Sequence, residues 1–285
     1  MPRSLPLCDA PRAVHPVLFR IGSYEVPSYG VLLTLAFAAG IWVARRRAAE
    51  RGIGEERVLD VCMLILFSSI LGARLLWVLT HLDQFRAPHG SWTDALNPFR
   101  GGAYVGFAGL SVLGGVILAT VSALAYLAWK KMPVLATADV LAPSVALGEG
   151  ITRIGCFLNG CCYGLPCDAG FCLRFPTDSP AAISYHGAAV HPTQLYASAI
   201  GFLSFFVLSA LLRRPPFAGA VFGAFLAIQG VQRLLLDLVR HQDESVIWFH
   251  VGATPFGANQ GVSVALLVVG VILLVTFRAR AAARA

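Results

Sequence analysis

"PSYGVLLTLAFAAGIWVARRRA", residues 27–48, decides how the rest of the chain is read. The run carries no charge from Pro27 to Ala44 and then meets three consecutive arginines, Arg45, Arg46 and Arg47. A helix crosses membrane hydrocarbon with about 20 apolar residues, and a helix satisfies its backbone groups within the segment. Arginines at one end mark that end as cytoplasmic. With this span at about 27–45, similar runs at 58–80, 103–129, 134–158, 192–212, 217–239 and 257–277 predict an all-α integral membrane protein of seven transmembrane helices. Lys130 and Lys131 follow the third run, Arg213 and Arg214 the fifth, and Arg278, Arg280 and Arg284 the seventh. Every odd-numbered span thus ends in basic residues, which predicts an N-terminus outside and a cytoplasmic C-terminus.

Composition agrees. The 285 residues are 57% hydrophobic and 13% charged, where soluble domains carry about 25% charged residues. The net charge of +7 comes from arginines at span ends. No long basic block or nucleic-acid-reading motif accompanies it, so no nucleic acid is expected as a partner. "MPRSLPLCDAPRAVHPVLFR" has no uninterrupted apolar core, so it does not read as a cleavable signal peptide, and the first span is expected to serve as targeting signal. Cys8 follows Leu7 and is not read as a lipoprotein cleavage site. The expected organisation is an extracytoplasmic arm at 1–26, one seven-helix domain at 27–277 and a cytoplasmic tail at 278–285. A loop at 159–191, too long for a simple connector, lies outside. No internal repeat is apparent.

Ionisable residues inside spans are costly and mark function by default. Here they are Arg74, Asp139, Glu149, Arg153, Arg233 and Asp237. The predicted topology places Arg74, Arg153 and Arg233 in the outer halves of three helices, so they converge on one depth. Tyr29 and Gln260 open their helices at the same face. Asp139 lies nearer the cytoplasmic end and is read as a cap on the start of its own helix. Arg233 and Asp237, at i, i+4, can pair. Arginines there can also simply snorkel to the interface. Three together, with few carboxylates at that depth, favour an anion site, and guanidinium forks bind phosphate bidentately. The glycines of "GGAYVGFAGLSVLGG" (101–115) suit close helix packing or substrate contact, and the two are compatible.

These residues, in order, resemble the prolipoprotein diacylglyceryl transferase family. "PSYGVLLTLAFAAGIWVARRRA" looks like its first helix, with Tyr29 at the essential tyrosine, and "GARL" (72–75) matches its arginine motif. "GLSVLGG" (109–115) resembles its glycine-rich helix, and "RIGCFLNGCCYG" (153–164) its G-R-x-G-N-F-x-N-x-E-x-x-G signature. "HPTQLYA" (191–197), "QRLLLDLVR" (232–240) and "NQG" (259–261) resemble later motifs. Leu113 stands where many members have histidine. Cys156 replaces Asn, Cys161 and Ala197 replace Glu, and Asp237 replaces Glu.

The resemblance implies a bacterial inner-membrane enzyme, multi-pass, with its site facing the periplasmic leaflet. It would transfer diacylglyceryl from phosphatidylglycerol to the lipobox cysteine of prolipoprotein signal peptides, forming a thioether and releasing glycerol phosphate. Catalytic roles are implied for Tyr29, Arg153 and Arg233, with His191 auxiliary or only ordering its loop. Substrate binding is implied for Arg74, Ser111, Gly114, Asn159, Gly164, Gln194, Asp237 and Gln260. No cofactor and no metal is expected. Rival readings are a non-catalytic phospholipid- or lipoprotein-binding paralogue, a membrane thiol-redox protein and a small-solute transporter.

Cys156, Cys161, Cys162, Cys167 and Cys172 are read first as disulfide partners within the outer loop, because the compartment permits them and the loop is expected to lack a core. Spacing does not give the pairing. Metal binding is disfavoured by the absence of a CxxC pair, and a catalytic thiol is not needed because the reacting sulfur belongs to the substrate. Cys156 and Cys161 are assigned to packing or to a bridge near the site.

Overall fold

The computed structural model describes residues 14–22, 24–85, 99–100, 103–104, 110–177, 179–241, 247–251 and 254–282. Cys8 and most of the glycine-rich stretch 101–109 lie outside them. Eight α-helices are present among the described residues: α1 (Ser28–Glu50), α2 (Glu55–Thr80), α3 (Val112–Trp129), α4 (Val134–Leu158), α5 (Pro180–Tyr185), α6 (Thr193–Arg213), α7 (Ala220–Asp237) and α8 (Ala258–Ala282). All but the short α5 are long and apolar enough to cross a membrane. Phe67, Phe206 and Ile272 stay exposed along them, as befits side chains whose solvent is lipid. The third span is shorter than the apolar run suggested. It starts at Val112 behind Ser111 at the N-cap position, and β4 (Ala103–Tyr104) upstream pairs instead with β3 (Phe99–Arg100).

Contacts divide the chain into two compact units. The unit Arg45–Thr137 is built on α2 and α3. Gly72 and Gly114 face each other so closely that a Cβ on either would collide with the other's carbonyl oxygen. That is how small residues let helix backbones approach in lipid. Gly114 thus serves close helix packing. The Ser111 N–H donates to Ala73 O at 2.9 Å. Arg74 is buried, with its guanidinium 4.9 Å from the Trp77 ring centroid.

The other unit joins Met1–Ala44 to Ala138–Ala285. β1 (Val17–Ile21) and β2 (Tyr24–Pro27) form a hairpin leading directly into α1. β5 (Ile247–Val251) and β6 (Thr254–Gly257) do the same before α8, with the same register shift after the first pair. This repeated hairpin–helix unit escaped the sequence reading because the two copies share little beyond Phe19/Phe249 and Gly22/Gly252. α4 and α6 meet at Gly150 and Gly201, where a Cβ on Gly201 would lie 2.8 Å from Gly150 N. α7 and α8 meet at Gly230 and Gly270.

Asp139 does not cap its own helix. Its Oδ2 accepts from Gly219 N at 2.7 Å and its Oδ1 from Phe222 N at 2.8 Å, so it satisfies two N–H groups at the start of α7. The segment 159–191 is also not coreless. Tyr163, Phe175, Ala181 and Val190 form a buried cluster with Phe157 and Leu173 against it.

Candidate functional site: a guanidinium-lined cavity

The end of α4 sets the geometry. Gly160 N donates to Phe157 O at 3.0 Å and Cys161 N to Cys156 O at 3.1 Å. This paired closure of a helix C-terminus requires left-handed backbone at the residue between, and Gly160 supplies it at φ 69°. Cys162 continues in the left-handed region at φ 61°. The closure normally brings together apolar side chains three residues before and two after the cap. Here those positions are Cys156 and Cys161.

From this turn the chain is pinned to α6 and to the end of α7. Thr193 Oγ1 donates to Cys162 O at 2.8 Å, and Gln194 Nε2 to Cys161 O at 2.8 Å. Gly164 N donates to His191 O at 3.0 Å, and Leu165 N to Val239 O at 2.8 Å. Gly164 also bridges Arg240 in antiparallel fashion. A Cβ at Gly164 would lie 2.6 Å from both His191 Cβ and Val239 O, so only glycine lets these strands of backbone meet. This contact fixes where Arg240 stands.

The result is one cavity onto which Arg153 of α4, Arg233 of α7 and Arg240 just beyond it all open. Glu149 also lines it, but its carboxylate is engaged. Oε1 accepts from Gln232 Nε2 at 2.9 Å and Oε2 accepts from Gln229 Nε2, while Arg153 Nη2 is 4.0 Å away. Arg233 and Asp237 lie within electrostatic reach of each other, and each has a further polar partner. Arg233 Nη2 reaches Asn259 Oδ1 at 3.5 Å, while Asp237 Oδ2 accepts from Gln260 Nε2 at 2.9 Å. Gln260 in turn accepts from Gly257 N at 2.8 Å. Among the described lining residues, three guanidiniums thus face a single carboxylate.

Gln194 and Gln232 complete the polar wall. Both are buried, and the Oε1 of each has no hydrogen-bond partner among the described residues. Their amide orientations are fixed because each Nε2 already donates.

Of the residues singled out by sequence, Arg153, Arg233 and Gln194 line the cavity. Tyr29 packs on α4, its Cδ2 lying 3.4 Å from where a Cβ on Gly155 would stand, within electrostatic reach of Arg153 and the three cysteines. Asp237 and Gln260 stand behind Arg233. Asn159 closes the last turn of α4, its N–H donating to Gly155 O at 3.0 Å. His191 does not line the cavity: its backbone orders the loop, and its Nδ1 is 3.5 Å from Tyr196 Oη. Arg74, Ser111 and Gly114 belong to the other unit. Arg240 and Gln232 were not singled out by sequence, and Cys162 was read only as a disulfide partner. Arg240 lies just past the apolar run, where arginine reads as an interface anchor, although "QRLLLDLVR" already held it.

Cys167 and Cys172 form a disulfide, as the outer-loop reading expected. Cys156, Cys161 and Cys162 are instead free thiols. The Cys162 thiol lies below its ordinary pKa range, first through hydrogen bonds with Cys156 and Cys161, then through the charges of Arg240 and Arg153.

Fold and cavity together define a multi-pass membrane protein with a guanidinium-lined cavity. The family model for prolipoprotein diacylglyceryl transferase matches residues 16–276. A phosphatidylglycerol–prolipoprotein diacylglyceryl transferase of Geobacter sulfurreducens is 33% identical over 273 residues, covering 92% of this chain and 95% of that protein. One from Symbiobacterium thermophilum is 31% identical over 269 residues (94% and 95%), and one from Clostridium tetani 32% over 225 (79% and 85%). The chain belongs to the prolipoprotein diacylglyceryl transferase family.

Proposed function

We propose that the chain transfers the diacylglyceryl group of phosphatidylglycerol to the lipobox cysteine of prolipoproteins. The thiol loses its proton to water, its sulfur attacks the glycerol carbon, a C–S bond forms, the C–O bond to phosphate breaks, and glycerol phosphate leaves with the electron pair. The observation that carries this reading is the excess of Arg153, Arg233 and Arg240 over Glu149 around one cavity. A phosphodiester supplies the missing negative charge, and its charge grows as the phosphate departs, so fixed guanidiniums stabilise the transition state more than the ground state. The Oε1 atoms of Gln194 and Gln232 accept from the hydroxyls of the headgroup glycerol, which select this lipid over one without donors there. Tyr29 borders the reacting carbon, and Asp237 with Gln260 holds α7 and α8 so that Arg233 faces inward. Arg74 and Ser111 contribute further lipid contacts, and Asn159, Gly164 and His191 hold the loop.

In this reading the N-terminus and the 159–191 segment are extracytoplasmic, the C-terminus is cytoplasmic, and the cavity opens to the periplasmic leaflet of a bacterial inner membrane. Ala197 lines the cavity without a carboxylate, so the arginines and not an acid carry the lipid side of the reaction. Complementation of a transferase-depleted bacterium tests the proposal. The wild-type chain is expected to shift a model prolipoprotein to its lipidated mobility. Failure by a well-expressed, membrane-inserted chain would overturn the assignment.

A further inference from the structure

Resting on that reading, we propose that Cys156, Cys161 and Cys162 form a three-thiolate zinc site whose open fourth position takes the thiol of the incoming lipobox cysteine. The transfer needs a sulfur nucleophile, yet among the described lining residues no carboxylate or imidazole is free to ionise it. Glu149, the one carboxylate among the described lining residues, is held through both oxygens by glutamines. His191 lies off the cavity with its ring on Tyr196. The three cysteine sulfurs, by contrast, all lie within 4.8 Å of one another, and Cys162 lines the cavity itself. None of the three is in a disulfide. The other sulfur pair near a histidine, Cys167 and Cys172 beside His191, is oxidised and offers no thiolate.

The trio meets the demands of zinc. Zinc–sulfur bonds of about 2.3 Å put tetrahedral ligands about 3.8 Å apart, so only a small closure is needed, and three protein ligands with one open position is the arrangement of catalytic zinc. The ligands come preorganised. The helix-ending turn brings Cys156 to Cys161, and Gln194 and Thr193 hold the carbonyls of Cys161 and Cys162. Outer groups of this kind orient and tune metal ligands.

Charge also balances. Three thiolates and Zn²⁺ leave one negative charge, and a bound substrate thiolate adds a second. Arg153 and Arg240, which line the cavity together with Cys162, offset these. On binding, the substrate S–H gives its proton to water. The zinc-held thiolate then attacks the glycerol carbon, and the product thioether, a weaker ligand, is released. Metal coordination is one of the established ways to activate a nucleophile.

The test uses the full chain purified in detergent under reductant and stripped with chelator. Titration with Co²⁺ is expected to give sulfur-to-cobalt charge-transfer absorption at one equivalent, displaced by Zn²⁺. The signal should be lost in Cys161→Ser and in Cys162→Ser. In the wild-type chain, Zn²⁺ should protect Cys156, Cys161 and Cys162 from alkylation but not Cys62, a readout that needs no variant. Transfer should fall on the order of 10²-fold on stripping and return with Zn²⁺. The zinc site is overturned if no metal binds, if binding persists in both variants, or if two of the three sulfurs are joined in protein purified without reductant. Full transfer by stripped protein overturns thiol activation and leaves the transferase reading intact. Metal binding with no transfer in either state counts against the transferase reading, and thiol activation falls with it.

Discussion

The two ends of α4 hold buried charge in opposite ways. At one end Asp139, 2% exposed, spends both oxygens on backbone N–H groups at the start of α7. At the other end Arg153 joins Arg233 and Arg240 on a cavity whose one carboxylate is already held by Gln229 and Gln232. A buried charge with every partner supplied by the fold is a structural device. A set of like charges left in excess demands a partner from outside, because unpaired buried charge costs several kcal/mol per ion. The same helix thus carries a fastening and a site, and the count of partners tells them apart.

That contrast can be broken most severely at the arginines. Arg153→Ala and Arg233→Ala are each expected to lower diacylglyceryl transfer by about 10²–10³-fold while leaving thermal unfolding in detergent near wild type. A transfer assay alongside a melting curve checks both halves. Asp139→Ala should do the reverse, costing up to about 2 kcal/mol of stability as lost capping, with transfer per folded molecule unchanged. If Asp139→Ala lost transfer without losing stability, the distinction between the two ends would fail.

Gln232→Leu sharpens the comparison from within the cavity. It removes an acceptor and frees Glu149 Oε1 to tighten its 4.0 Å ion pair with Arg153, so phosphatidylglycerol affinity should fall by roughly tenfold, read as KM rather than kcat. The smallest effect concerns the thiols of metal-free protein. Because neighbouring thiols and guanidiniums favour its ionised form, Cys162 should stay alkylation-competent as pH falls below the ordinary thiol range. Arg240→Ala should move that threshold upward. An unchanged threshold would show that Arg240 does not act on Cys162.

Much of this was legible in the sequence, for physical reasons. Long apolar runs ending in basic residues have no alternative in lipid but helices, so the spans were readable to a few residues. The exception was α3, where glycines and Ser111 delay the start to Val112. Arg153 and Arg233 were readable because charge inside a span is expensive. Arg240 was not, because only the contact of Gly164 with the end of α7 brings it back to the cavity. The thiol cluster was equally hidden. Cys156 and Cys161 carry no metal-ligand spacing, and they meet only because Gly160 ends α4 with a left-handed residue. Asp139 was readable as a cap but not as the cap of another helix, since helix-to-helix pairing is a tertiary fact.

Phosphatidylglycerol binding by the full-length chain, measured for wild type, Arg153→Ala, Arg233→Ala and Asp139→Ala in the same detergent, tests the excess of positive charge most directly. Affinity should drop at least tenfold in both arginine variants and hold in folded Asp139→Ala. Undiminished binding by either arginine variant would mean that those side chains do not hold the phosphate.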